Sequence, residues 1–214
     1  MKKHTIASCA LAGLSILFLL ITLLIGASDS TSILICTLFL MFTVIAFVVL
    51  SLMKKVNKMV ILVPILLSLV FIGIFENSFV SFMGILNVIF NQTTETTSIV
   101  PPVLSLLLTG ALVVGLVYAL KKHRWAAILV IVILGVEIAV NIESFISLIS
   151  FIDTIKQLAN NDIIPEISGS YQFMPITSLA IISIYSSFIV YFIPILHKEK
   201  EEQIIETESD VKAS

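Results

Sequence analysis

Only one acid lies well inside a long apolar run of this 214-residue chain, and that acid is Glu137. At 1.5 Å of helix rise per residue, it lies about 18 Å beyond Trp125, near the middle of a bilayer. Asn141 and Ser144 follow at the i+4 and i+7 positions, so the three residues share a helix face and form a candidate intramembrane polar site. A carboxyl group at this depth is costly and typical of an ion, proton or substrate site. The alternatives are a protonated Glu137 hydrogen-bonded to a neighbouring helix, or a span that begins later and leaves it shallower.

The other polar residues do not form a catalytic, metal-binding or cofactor-binding motif. Intramembrane catalysis needs paired acids, a nucleophile with a base, or metal ligands in one place. The apolar runs contain a single Glu at depth and no His. His4, His123 and His197 stand beside lysines at the ends of runs, where charged flanks of membrane spans explain them better than a metal site. We therefore expect no enzymatic activity, cofactor, metal or nucleic-acid partner.

The elements that would position Glu137 are membrane-spanning helices. The chain is 58% hydrophobic and 12% charged, with a mean hydropathy of +1.14, which is too apolar for a water-soluble domain. Its long uncharged runs indicate helices rather than the alternating strands of a membrane barrel. The sequence predicts an all-α polytopic membrane helical bundle in one domain, 1–196, with about six spans: 5–26, 32–53, 59–75, 102–120, 125–147 and 174–196. The first run could instead be a cleaved signal peptide ending near Ala27, although it exceeds the about 7–15 apolar residues of such a peptide.

The basic residues alternate with the spans and predict their orientation. Eleven of the twelve Lys and Arg residues precede the first span, follow the last, or lie in the second and fourth connections, and only Lys156 falls on the other side. The loops on the side of Lys156 also carry acids: Asp29, Glu95, Asp162 and Glu166. The positive-inside rule then predicts three hairpins with both termini cytoplasmic, in an integral protein of the plasma (cytoplasmic) membrane. The polar segment 197–214 is predicted to be an acidic cytoplasmic tail, frayed or disordered.

Two parts of the chain, 69–120 and 135–193, resemble each other. Segment 78–89 aligns with 144–155 without gaps, and serine, Asn/Asp and proline positions recur in both copies. Since shared polar positions are more specific than shared apolar ones, we interpret this as an internal repeat. Each copy contains two spans, so the copies would have the same orientation.

Each copy also contains an apolar stretch that continues past the outer boundary of the bilayer. Residues 59–90 and 125–155 would each reach about 45 Å as a continuous helix, more than the hydrocarbon core. Apolar side chains recur there at helical spacing between serines, which predicts an amphipathic outer helix that prolongs the span or lies in the interface. The candidate outer apolar surface comprises Phe79, Phe82, Met83, Leu86, Phe145, Leu148, Ile149 and Ile152. The two segments could cap the bundle by packing on each other, or form a cleft or docking surface.

Pairs of small residues four positions apart could let neighbouring helices approach closely. The chain contains several such pairs: Ser8/Ala12, Cys9/Gly13, Ala111/Gly115 and Gly135/Ala139.

The scarcity of polar groups favours a non-catalytic membrane protein over an enzyme. The leading hypothesis is an accessory or partner-binding subunit of a membrane complex, or a homo-oligomer, that binds protein, peptide or lipid at its outer face. The alternative is a small transporter or solute-binding membrane protein that uses Glu137 near mid-membrane.

Overall fold

The computed structural model describes residues 2–26, 31–53, 57–72, 100–160 and 174–213. These residues form helices joined by short turns, and no strand occurs among them. The helices are α1 (Lys2–Gly26), α2 (Thr31–Leu52), α3 (Leu62–Ile72, preceded by a 3₁₀ turn at Lys58–Ile61), α4 (Val100–Leu120), α5 (Arg124–Asn160) and α6 (Met174–Ala213). The predicted all-α fold is confirmed.

Five of these helices, α1, α2, α4, α5 and α6, are long and apolar enough to cross a membrane. The 3₁₀ turn and α3 together form a shorter apolar helix, Lys58–Ile72. The third predicted span, 59–75, is therefore described only as far as Ile72. The prediction of candidate membrane-spanning helices is confirmed for the other five.

The surface of the bundle is largely apolar, while hydroxyl side chains lie inside it. Phe42 and Leu107 are 66% and 64% exposed. The buried polar residues are all serines and threonines: Ser8, Ser15, Thr22, Thr37, Thr43, Ser68, Ser178, Ser183 and Ser187. Large apolar patches on a surface would be costly in water but not against lipid tails. This distribution supports a hydrocarbon environment for the bundle.

The helices form a ring in which each packs on its neighbour in the chain and α6 packs on α1. The α1–α6 and α5–α6 contacts are the most extensive, whereas α3 and α4 touch least. Residues near the start of α1 and near the end of α2 line one cavity together with Lys58 and Lys122. The first two helices are therefore antiparallel. We call the end of the bundle that carries this cavity the basic end.

The contact between α1 and α6 contains a reciprocal pair of hydrogen bonds. Ser8 Oγ donates to the Ser187 carbonyl oxygen at 2.8 Å, and Ser187 Oγ donates to the Ser8 carbonyl oxygen at 2.9 Å. The two hydroxyl oxygens are 3.2 Å apart. Both serines are buried, and the short hydroxymethyl side chain is what lets each helix backbone come within reach of the other.

We expect Ser8→Ala and Ser187→Ala each to lower the free energy of unfolding by about 0.6–1.7 kcal/mol, as for other hydrogen bonds between membrane helices. Their effects should be nearly additive because each hydroxyl donates to a backbone carbonyl that the other substitution leaves in place. The matched control is Ser15→Ala, since Ser15 is equally buried in α1 but donates within its own helix, to Ala12. Unfolding in mild detergent would measure all four variants, the double variant included. Equal losses for Ser15→Ala and Ser8→Ala would contradict the interhelical role.

The turn between α4 and α5 closes in a hydrogen-bonded helix-capping motif. The Lys122 amide donates to the Ala119 carbonyl at 2.8 Å, and the His123 amide donates to the Tyr118 carbonyl at 3.1 Å. This is the Schellman pattern, in which the residue after the C-cap adopts the left-handed conformation and is usually glycine. Here that residue is Lys122, with a φ of 69°. The chain therefore holds a lysine in a conformation that glycine adopts at lower cost.

Aromatic rings and cations gather around the same turn. Tyr118 packs against Trp125 and His123, with ring centroids 5.5 and 5.4 Å apart, and Lys121 Nζ lies 5.4 Å from the Tyr118 ring centroid. Tyr118 and Trp125 are both exposed. Exposed amphipathic rings beside lysines are typical of the head-group region of a membrane.

Candidate functional site

Glu137 lies in the thirteen-residue interval between Trp125 and Ser144 of α5 and is half-buried rather than enclosed. The side of α5 that carries it is close enough to Tyr185 of α6 for the carboxylate and the phenol to interact electrostatically. Tyr185 is among the most buried large side chains, with 1% of its surface exposed. A carboxyl group and a phenol thus share the α5–α6 interface.

The structure does not bring Asn141 and Ser144 to the Glu137 carboxylate. Asn141 Nδ2 donates to the Glu137 backbone carbonyl at 2.8 Å, a local bond within α5 that occupies one amide hydrogen. Ser144 is exposed. The predicted site of three residues on one helix is therefore replaced by a Glu137–Tyr185 pair across two helices, with Asn141 beside it.

Sequence reasoning did not select Tyr185. Its signal is a polar aromatic residue in the interior of an apolar run, far from the span ends where tyrosine serves as an interfacial anchor. Its pairing with Glu137 could not be read from the sequence because the two residues belong to different helices.

The small pair Gly135/Ala139 does not form the close helix contact predicted for it. A Cβ added at Gly135 would meet no atom within 4 Å, and Ala139 is exposed. The pair Ala111/Gly115 does lie in a tight contact, because a Cβ at Gly115 would be 3.0 Å from Val130 Cγ2. Close packing therefore occurs between α4 and α5 and not on the face of α5 that carries Gly135.

The outer apolar segment of the second copy is a direct continuation of α5. The helix runs unbroken from Arg124 to Asn160, about 55 Å of helix rise. It thus prolongs the span and does not bend at the membrane boundary. Phe145, Leu148 and Ile152 are half-buried and Ile149 is exposed.

Two further apolar side chains on this extension are more exposed than the predicted ones. Ile146 is 59% exposed and Phe151 is 51% exposed. They precede or follow the predicted positions by one residue, so apolar groups occupy more than one side of the extension. The predicted residues of the first copy, Phe79, Phe82, Met83 and Leu86, lie outside the described residues.

The described residues contain no group of three or more His, Cys, Asp or Glu side chains that could hold a metal ion. The chain matches no known protein-family model, and no characterised protein or solved structure is significantly similar to it.

Proposed function

We propose that this protein is a non-catalytic subunit of a membrane complex that binds a partner protein at its outer face. In this proposal the chain crosses the membrane about six times in three hairpins, with both termini in the cytoplasm. The basic end would then be cytoplasmic, as the positive-inside rule requires. The observation that carries the proposal is the long apolar extension of α5.

The extension is longer than a membrane span needs. A span of about 20 residues that begins at Arg124, at the basic end, reaches the opposite boundary near Ser144. The rest of α5 would project about 20 Å beyond the hydrocarbon core. Exposed Ile146 and Phe151 would be in the head-group region or in water, where large apolar side chains are unfavourable unless something covers them.

A helical or extended apolar segment of a partner is the cover that fits this surface best. Partner helices commonly bind through a few apolar anchors spaced along one side of a helix. The competing cover is the outer segment of this chain's first copy, 78–90, which would cap the bundle instead. Cross-linking distinguishes the two, because a cap gives a link within one chain and a partner gives a larger product.

Phe151→Glu is expected to reduce recovery of the partner by at least about tenfold, the effect of losing about 1.4 kcal/mol of binding free energy. The matched control is Ser150→Glu, which places the same charge on the neighbouring exposed position of the same helix. Affinity purification from mild detergent, with quantitative mass spectrometry of the co-purified proteins, measures both. A clean monomer without any cross-linked partner, or equal loss in both variants, would contradict the proposal.

The orientation is checked in the same cells with a Cys9→Ala, Cys36→Ala background. A cysteine introduced at Phe151 should react with a membrane-impermeant maleimide from outside, whereas one introduced at His123 should react only after lysis. The reverse pattern would overturn the orientation without touching the identity of the binding surface.

A transporter or solute-binding function is the second candidate, because one observation favours it. The Glu137–Tyr185 pair puts an acid and a phenol together inside an otherwise apolar interface, and intramembrane acids commonly mark ion or proton pathways. The structural alternative is that Glu137 only joins α5 to α6.

A further inference from the structure

A cavity at the basic end collects residues from distant parts of the chain. Its volume is about 130 Å³. The polar residues and the proline that line it are Thr5, Ser51, Lys58, Lys122, Tyr191 and Pro194. They come from α1, α2, the 3₁₀ turn, the α4–α5 turn and α6, so the cavity exists only in the assembled bundle.

The polar groups of the cavity suit an anion. Lys58 and Lys122 are two cations, Thr5, Ser51 and Tyr191 offer hydroxyl donors, and the described residues that line the cavity include no Asp or Glu. Both lysines are exposed and can extend to the mouth. Tyr191 is held edge-on against Phe47, with ring centroids 5.5 Å apart. Cations and hydroxyls converging without a counter-charge are a binding environment for a phosphoryl group.

Ser51 supplies a second observation at the same place. Its hydroxyl oxygen is buried and makes no hydrogen bond with the residues that the structure describes. Other buried hydroxyls in the bundle are satisfied locally, as Ser68 is by the Pro64 carbonyl at 2.8 Å. A buried polar atom without a partner is costly and calls for a ligand or ordered water. Ser51 is therefore an available donor in the wall of the cavity.

Lys122 supplies a third observation. The Schellman turn would be more stable with glycine at this position, because the left-handed conformation is costly for a residue with a Cβ. The chain keeps a lysine there, and its side chain lines the cavity. A strained residue that supplies a charge to a cavity is a typical sign of a functional position.

We propose that this cavity binds the phosphate group of an anionic membrane lipid at the basic face of the membrane. The cavity is below the about 300–1,000 Å³ of a drug-sized ligand pocket, so it would hold a phosphoryl head and leave the acyl chains along the apolar outer surface. Exposed Tyr118 and Trp125 lie at the same end and place it at head-group level. Basic pockets between membrane helices bind phospholipid head groups in this way. The inference rests on the proposed membrane placement and is independent of the partner at the outer face.

The test is native mass spectrometry of the full-length protein titrated with phosphatidylglycerol in mild detergent. Lys58→Gln and Lys122→Gln should each weaken binding about fivefold, the contribution of one lysine near an anionic surface. Lys121→Gln is the matched control, because Lys121 precedes Lys122 in the same turn but does not line the cavity. Equal binding of phosphatidylglycerol by the Lys121 and Lys122 variants would overturn the proposal, and so would equal binding of phosphatidylglycerol and phosphatidylcholine by the unaltered protein.

Lys122→Gly separates binding from folding. It should raise the unfolding temperature by about 2–4 °C by relieving the left-handed lysine, yet weaken phosphatidylglycerol binding as much as Lys122→Gln does. A fall in both quantities would assign Lys122 a structural role and overturn the proposal. Inorganic phosphate is titrated in a separate arm. If phosphate displaces the lipid at millimolar concentration in a Lys122-dependent manner, the phosphoryl site stands and its source is a soluble anion. Failure of all these tests would leave partner recovery through Phe151 unaffected.

Discussion

Gly115→Leu is expected to lower the free energy of unfolding by about 1–3 kcal/mol, the usual cost of overpacking a tight interior. A Cβ at Gly115 would lie 3.0 Å from Val130 Cγ2 and 3.4 Å from Leu129 Cδ2, and the Ala126 carbonyl oxygen is 3.7 Å away. Val130 is fully buried and β-branched, so it has few alternative rotamers with which to move aside. The larger side chain must therefore push α4 away from α5.

The matched control is Gly135→Leu. Gly135 is also inside a helix, but a Cβ there meets no atom within 4 Å. Its substitution should leave stability unchanged or raise it by up to about 1 kcal/mol, since leucine favours helix over glycine. Thermal unfolding in mild detergent, followed by circular dichroism, measures the two variants side by side. Equal loss of stability at both positions would mean that the α4–α5 contact is not the tight one.

This contrast shows what the sequence could predict about packing and what it could not. All four small-residue pairs carry the same signal in sequence, because the signal describes one helix at a time. The structure uses Ser8/Ala12 and Ala111/Gly115, while Gly13 and Gly135 have open space around them. Which pair meets a partner depends on the rotation of each helix about its axis. That rotation is set by contacts between helices distant in the chain.

The membrane helices themselves were predictable, because hydropathy and helix length are local properties. The predicted starts at 5, 32, 102, 125 and 174 fall within a few residues of the observed helices. The ends were less well predicted for α5 and α6, which continue to Asn160 and Ala213. For α6 the added segment includes 197–213, predicted to be frayed or disordered. Its glutamates and lysines are good helix formers, and they extend a helix that the membrane span has already nucleated.

The features that join the ends of the chain were beyond sequence reasoning. Ser8 and Ser187 are 179 positions apart, and the basic-end cavity draws its lysines from two separate turns. Serines and flanking lysines are common in membrane proteins and have a sufficient explanation in helix packing and topology. Only their convergence in space distinguishes these particular residues. The candidate site around Glu137 falls between these cases, because its acid was predictable and its partner Tyr185 was not.

Glu137→Gln is expected to reduce proton flux to the level of empty vesicles if Glu137 serves in transport. The amide keeps the shape and hydrogen-bonding capacity of the acid but cannot exchange a proton or carry a charge. Proteoliposomes with an entrapped pH-sensitive dye and an imposed potassium diffusion potential measure this flux. The matched control is Glu143→Gln, since Glu143 is on the same helix but exposed and six positions further along. Unchanged flux in the Glu137 variant would remove this residue from any transport role.

Stability separates a transport role for Glu137 from a structural one. If the carboxyl group joins α5 to α6 by a hydrogen bond that the amide cannot reproduce, Glu137→Gln should cost about 0.6–1.7 kcal/mol of unfolding free energy. If the acid is retained for transport, replacing a costly intramembrane carboxyl should leave stability unchanged or raise it, as is common at functional positions. Tyr185→Phe sharpens the distinction, because a structural pair predicts that the two substitutions are coupled in a double-mutant cycle. Lost flux with retained stability would favour the transporter over the accessory subunit. Lost stability in a protein that shows no flux would make Glu137 a helix-joining residue and leave the α5 extension as the functional surface.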